Sequence, residues 1–248
     1  MRAAGLDIGS RTVELVVVDA GEVVTSARLE TTPAVEADCA RLLAAERYDR
    51  LVVTGYGRAL AEVRFDAESV TEIRAHARGA HALFPGCRAV LDIGGQDTKA
   101  IALDGAGRVL RFEMNDRCAA GAGKFLEMMA RALGYSMEEF GVAALRGNGV
   151  LRLSSMCAVF AESEVVGLVT RGERREEIAR AVHHAVARRS VAMLRRVSAE
   201  APVVFSGGAA RNPCLVALLE EALGMRLLVA PDPQMTGALG AALIAAER

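Results

Sequence analysis

The chain of 248 residues has no tryptophan, three tyrosines and seven phenylalanines, so aromatic side chains make up only 4% of it. There is no surplus of positive charge either: 30 Lys and Arg against 31 Asp and Glu leave a formal net charge of -1. That balance argues against a nucleic-acid partner, which needs a basic face. No apolar run approaches the roughly 18 to 20 residues of a membrane-crossing helix, so no membrane partner is expected. Residues 1–8 run straight into a strand pattern without a leader's charged and apolar regions, and a cytoplasmic location is the expectation. The five cysteines are odd in number and widely spaced, with no Cys-x-x-Cys pair, which excludes a disulfide framework and a self-contained metal knuckle. No Gly-x-x-x-x-Gly-Lys-Ser/Thr pattern occurs, which excludes the P-loop class of nucleotide enzymes.

What is present is an ordinary globular interior. Hydrophobic residues reach 52%, charged residues 25%, and mean hydropathy is +0.25. Apolar runs rich in valine predict strands at Ala3–Ile8, Thr12–Asp19 and Glu22–Glu30, then a helix to Glu46, a short strand Leu51–Thr54 and a helix through Ile73 and Ala77. After Pro85-Gly86 the plan restarts, with strands Arg88–Ile93, Thr98–Leu103 and Val109–Met114. The repeated unit carries Asp7-Ile-Gly9 and Asp92-Ile-Gly94 at matching places, which implies a duplicated architecture. The remainder predicts helices over 119–134, 136–145, 159–170, 174–198, Leu215–Leu223 and Thr236–Ala246, with strands Val203–Phe205 and Arg226–Val229 between them. The expected division is 1–85 and 86–234, with the closing helix 235–248 packing back on the first part.

The repeated turns carry the chemistry. In Asp7-Ile-Gly-Ser-Arg-Thr12 a buried strand ends in a carboxylate, and a tight turn follows. Gly9 lets the backbone approach an anion, while Ser10, Arg11 and Thr12 offer donors. Asp92-Ile-Gly-Gly-Gln-Asp97 is the second copy, with Gly94 and Gly95 in the turn and Gln96 or Asp97 placed to orient a water. Asp7 and Asp92 suit a hydrated Mg²⁺ held against phosphates. A third glycine element, Phe205-Ser-Gly-Gly-Ala-Ala-Arg-Asn212, leaves room at Gly207, Gly208 and Ala209 for a sugar or a flat ring. Any one of them is also an ordinary β-turn; three in this order are more specific. Together they resemble the phosphate 1, phosphate 2 and adenosine motifs of the actin-like ATPase superfamily. That resemblance implies an α/β, ribonuclease H-like fold of two duplicated subdomains, mixed sheets flanked by helices, and ATP or ADP with Mg²⁺ as ligands.

Two cysteines narrow the reading. Cys118 precedes a helix expected to begin near Ala119, and Cys157 precedes one starting near Val159. A helix N-terminus lowers a thiol's pKa and suits an anionic cluster. On residue grounds they remain either two unrelated thiols or half a ligand set completed across a two-fold axis. For Cys39, Cys87 and Cys214 the reading is small buried hydrophobes. The segments Thr54-Gly-Tyr-Gly-Arg58, Asn115-Asp-Arg-Cys-Ala-Ala-Gly-Ala-Gly123, Cys157-Ala-Val-Phe-Ala-Glu-Ser-Glu-Val165 and Gln234-Met-Thr-Gly-Ala-Leu-Gly-Ala-Ala242 resemble the activator ATPases of 2-hydroxyacyl-CoA dehydratases and the ATPase subunits of benzoyl-CoA reductase. This resemblance implies a homodimer sharing one [4Fe–4S] cluster on Cys118 and Cys157, with ferredoxin or flavodoxin as electron donor. It also implies ATP hydrolysis that drives a low-potential electron into a dehydratase or reductase. Gly121, Ala122, Gly123 and Lys124, following Cys118, and Gln234 are then expected at the nucleotide. The usual Ser-Thr-x-x-Lys of the first turn is Ser10-Arg-Thr-Val-Glu14 here: Glu14 stands for a lysine, Arg11 offers a replacement charge, and Lys99 keeps the second copy's lysine. A small-molecule kinase of the same fold and an ATP-gated scaffold without a cluster are the alternatives. His183-His184 and the arginines of 171–196 are read as a solvated helix face, with docking of an acidic partner as the other reading of the arginines.

Overall fold

The computed structural model describes residues 1–117, 122–154, 157–198 and 200–247. In chain order the elements are β1 (Arg2–Ile8), β2 (Thr12–Asp19), β3 (Glu22–Glu30), α1 (Val35–Ala44), β4 (Arg50–Gly55), α2 (Arg58–Phe65), β5 (Glu68–Ser69) and α3 (Glu72–Leu83). They continue with β6 (Ala89–Ile93), β7 (Thr98–Leu103), β8 (Val109–Asn115), α4 (Gly123–Ala132), α5 (Met137–Ala144), α6 (Ala158–Thr170) and α7 (Arg175–Val197). The last are β9 (Val203–Ser206), α8 (Pro213–Leu223), β10 (Leu227–Leu228) and α9 (Thr236–Ala246). One sheet has the order β3-β2-β1-β4-β5 and the other β10-β9-β6-β7-β8, so the second repeats the first element for element. The duplication expected from the two Asp-Ile-Gly turns is therefore present, and the fold is the actin-like one. Among the described residues no helix is long and apolar enough to cross a membrane.

The chain divides into two compact units, Met1–Val90 with Ile101–Arg111 and Ala230–Arg248, and Leu91–Ala100 with Phe112–Val229. In the first unit the central strands β1, β2 and β4 are buried on both faces of the sheet, while the edge strand β3 is largely exposed. Ala4, Leu6, Ile8, Val13, Leu15 and Val17 pack on Cys39, Leu42 and Leu43 of α1 and Ala61 of α2. Ala3, Val16, Val18 and Val52 pack on the other side against α9 and Ala75 of α3. Because side chains alternate along a strand, Gly5 and Asp7 share the α9 face. A Cβ at Gly5 would lie 2.2 Å from the Ala238 carbonyl oxygen, which explains why a strand of large apolar residues is interrupted there.

In the second unit α7 presents Ile178, Val182, Ala185, Val186, Met193 and Val197 to the interior, all buried, as its stripe predicts. α4 starts at Gly123 behind an extended N-cap at Ala122, and residues 119–121 of the expected helix lie outside the described residues. The strand expected over Arg226–Val229 shrinks to Leu227–Leu228. α2 and β5 were not anticipated, since each is too short to show a period.

Candidate functional site

In the first unit the ladder sets Asp7 opposite Glu14 on β2 and beside Thr54 on β4. The Asp7 carboxylate is 8% exposed and wedged by backbone: a Cβ at Gly237 would lie 2.0 Å from Oδ2, and one at Gly55, whose φ is +91°, would lie 2.5 Å from Oδ1. His76 Nε2 of α3 stands 3.9 Å from Oδ2. The turn after β1 is closed by Gly9 N–H donating to the Thr12 carbonyl at 2.9 Å, and Thr31 Oγ1 donates to the Gly9 carbonyl at 2.9 Å. Gly9, Ser10 and Thr12 are half-buried and Arg11 is exposed. Glu14 is buried at 4%, directly cross-strand from Asp7, so both carboxylates project from one sheet face. Gln234 is half-buried in a 3₁₀ turn, Pro233–Met235, leading into α9.

The second unit gathers three motifs at one corner. Asp92, at 2% exposure, accepts from Ser206 Oγ at 2.9 Å through Oδ1 and pairs with Lys99 Nζ at 3.3 Å through Oδ2. Lys99 also holds Asp97 at 2.6 Å, so of the two water-orienting candidates Asp97 is tied and Gln96 is exposed. Gly207, with φ +83°, approaches the strand end so closely that a Cβ would sit 2.4 Å from the Ile93 carbonyl oxygen and 2.9 Å from Asp92 Oδ1. α4 joins the same corner through backbone: Gly123 N–H donates to the Gly94 carbonyl at 2.9 Å, and Lys124 N–H to the Gly95 carbonyl at 2.7 Å. The Lys124 ammonium pairs with Glu127 at 3.1 Å.

Further along this unit, Gly208 is exposed, Ala209 is buried, and Asn212 caps α8 by accepting from Leu215 N–H at 3.1 Å. The Asn212 side-chain nitrogen donates to His183 Nε2 at 2.9 Å, while His183 Nδ1 donates to the Ala179 carbonyl at 2.7 Å. His183 is therefore no part of a solvated face. It is fully buried, 4.5 Å from the Phe140 ring, and burial pushes its pKa down to about 4. Adjacent helical residues point about 100° apart, so His184 can be half-exposed while His183 enters the core. Sequence reasoning missed this network, although a histidine four residues beyond Ala179 on the apolar stripe was its available signal.

Cys157 is exposed and stands as the N-cap of α6, with no side-chain capping bond. Glu164 of α6 holds Ser154, its Oε1 accepting from Ser154 N–H at 2.8 Å and Ser154 Oγ at 3.0 Å. Cys39, Cys87 and Cys214 are all buried, as expected, and burial raises each thiol, Cys39 and Cys214 to about 11. Cys118 and Gly121 lie outside the described residues. Among the described residues no group of three or more acidic, cysteine or histidine side chains gathers as a metal site.

The chain is 37% identical to the 2-hydroxyisocaproyl-CoA dehydratase activator of Clostridioides difficile over 255 residues, which is 99% of this chain and 95% of that one. Its fold matches the crystal structure of Acidaminococcus fermentans (R)-2-hydroxyglutaryl-CoA dehydratase component A with a TM-score of 0.93, at 33% identity and covering 100% and 98% of the two chains. The Clostridium difficile activator solved with bound ADPNP matches with a TM-score of 0.90, at 37% identity over 100% and 95%. Residues 4–245 match the model of the BadF/BadG/BcrA/BcrD ATPase family. The buried aspartates at two duplicated glycine turns, the glycine-lined corner at Gly207 and the full-length matches have one reading: this chain is an ATPase and belongs to the BadF/BadG/BcrA/BcrD ATPase family.

Proposed function

We propose that this ATPase is an ATP-dependent activator that passes a low-potential electron to a partner enzyme of the 2-hydroxyacyl-CoA dehydratase or benzoyl-CoA reductase type. In this reading it works as a homodimer, receives the electron from ferredoxin or flavodoxin, and shares one [4Fe–4S] cluster held by Cys118 and Cys157 of each copy. The cluster, when bound, supplies the one-electron carrier. The names of the similar proteins support the activator role. A donor chemistry that fits supports the cluster: among the described cysteines Cys157 alone is exposed, and it stands at the N-cap of α6, where the partial positive end of a helix suits an anionic cluster.

The nucleotide side of the reading assigns Asp7 and Asp92 to a hydrated Mg²⁺ and the backbone of Gly9, Gly94 and Gly95 to phosphates. Ser10 and Thr12 supply hydroxyl donors, Arg11 a charge, and Gln96 orients the attacking water. Gly207, Gly208 and Ala209 receive the nucleoside. Asn212 contributes by fixing the α8 N-terminus, since its amide is spent on Leu215 and His183. Phosphoryl transfer needs mainly positioning and charge neutralisation, which these groups provide.

The single observation that carries the coupling is the pair of backbone bonds from Gly123 and Lys124 to Gly94 and Gly95. The turn assigned to phosphate is thereby bonded to the first turn of α4, five residues after Cys118. A change in the turn must move that helix end, which is a direct route from nucleotide state to cluster environment. Anaerobic purification tests the reading. A brown protein with iron and sulfide in fourfold ratio to the dimer is expected, with Cys118→Ser losing both cluster and dimer and Cys157→Ser losing the cluster while retaining ADP binding. A colourless dimeric wild type overturns it.

A further inference from the structure

The arginine face of α7 is not a uniformly solvated surface. Arg175 lies over the Tyr135 ring at 5.0 Å, Arg189 near the Phe125 ring at 5.8 Å, and Arg196 pairs with Glu113. The remaining arginines line a cleft of about 740 Å³ between α7, α8 and the 148–152 loop. Its charged residues are Arg152, Arg180, Arg188, Arg195 and, on α8, Glu221, with His184 beside them. None of its lining residues belongs to the glycine turns or cysteine motifs described above.

Three observations make this a site rather than a charged patch. First, it is concave and walled on three sides, with a volume inside the range of small-molecule sites, roughly 300–1,000 Å³. The loop wall is tied down: Asn148 N–H donates to both Glu177 carboxylate oxygens at 3.0 Å, and Val150 N–H to Asn148 Oδ1 at 3.0 Å. Second, the charge is one-sided. Four guanidiniums meet one carboxylate, and among the described residues none of the four is in an ion pair; Arg195 and Arg152 donate only to backbone carbonyls. His184 registers this field: burial, then the Arg152 and Arg188 charges, hold its pKa below the usual histidine value, with Glu221 opposing. Third, Val191 and Leu218, both buried, give the cleft an apolar floor.

We propose that this cleft binds a small organic anion bearing two or more phosphate charges, with the guanidiniums of Arg152, Arg180, Arg188 and Arg195 on the phosphates and its apolar part on Val191 and Leu218. Guanidinium forks match phosphate oxygens in pairs, and a surplus of three positive charges calls for more than one carboxylate. The apolar floor selects an organic molecule over a bare inorganic one. The concave, loop-walled shape, with a volume in the range of small-molecule sites, selects a small ligand over an acidic protein surface.

Calorimetric titration of the full chain, with MgADP saturating the nucleotide site, tests this using coenzyme A and inorganic pyrophosphate as probes. One saturable site per chain is expected, tighter for coenzyme A. Arg188→Glu, at an exposed position, and separately Arg180→Gln should each weaken coenzyme A by about tenfold or more, since a charge-assisted contact is lost. Arg47→Glu, an equal charge change at an exposed position outside the cleft, should leave affinity within about twofold. The proposal is overturned by failure of both probes to saturate, or by pyrophosphate binding as tightly as coenzyme A. It is equally overturned if both cleft variants bind normally, if Arg47→Glu weakens binding as much as they do, or if an acidic peptide alone occupies the cleft.

Discussion

At the scale of single residues, burial decides what a charge is for. Lys99 is 2% exposed between Asp92 at 3.3 Å and Asp97 at 2.6 Å, and removing one partner of a buried pair leaves uncompensated charge. Lys99→Met is expected to cost about 3–5 kcal/mol by urea unfolding and to lower ATP turnover, because Asp92 loses a constraint on Oδ2. Wild-type stability in this variant would refute the role. His183 titrates the other way from a salt-bridged histidine. Burial lowers its folded pKa to about 4 from 6.5, so the unfolded chain binds more protons between these values. Its contribution is fully present above about pH 6.5 and is lost as pH falls toward 4, by about 3 kcal/mol at most. Unfolding free energies measured across that window should rise with pH, and His183→Gln should flatten the slope while lowering stability overall.

At the scale of elements, the helices of the first unit meet through absent side chains. A Cβ at Gly240 of α9 would lie 1.8 Å from the Ala75 carbonyl oxygen of α3, and one at Gly79 of α3 would lie 2.0 Å from the Thr236 carbonyl oxygen. Two backbones in contact have no flexible atom that can yield, so overpacking here moves a whole helix. Gly240→Ala is expected to lower stability by about 1–3 kcal/mol and to raise the KM for ATP, since α9 begins beside Gly237, the residue wedged on Asp7. Thermal melting and turnover read both effects, and an unchanged KM would separate α9 from the nucleotide. The sequence showed α9 as an apolar helix with glycines. It did not show that those glycines are contact points, because a glycine tolerated in a helix and one required there look alike.

At the scale of the whole molecule, α6 carries exposed apolar residues beyond Cys157. Val159 is 65% exposed, Phe160 68%, Val166 51% and Val169 40%. Under the proposed homodimer these residues, on the helix that Cys157 caps, are where two copies would meet. Phe160→Glu should then shift the protein to a monomer in light scattering and prevent retention of the cluster, with ADP binding unchanged. A dimer that survives the substitution would place the interface elsewhere.

The sequence by itself determined the duplicated plan, the strands that end in Asp7 and Asp92, the three glycine turns and the standing of Cys39, Cys87 and Cys214 as core residues. Those features are local: period, turn chemistry and polarity act within a few residues, and a repeat reads itself twice. Only the tertiary structure decided that Lys99 clamps Asp92 and Asp97, that Asn212 binds His183 rather than standing free for a ligand, and that α4 starts at Gly123 on the carbonyls of Gly94 and Gly95. It also turned a row of arginines, some stacked, some paired and three gathered with Arg152 around one cleft, into different chemistries. Charge and spacing are written along one helix, but partners come from elements far away in the chain, and burial is a property of the packed whole.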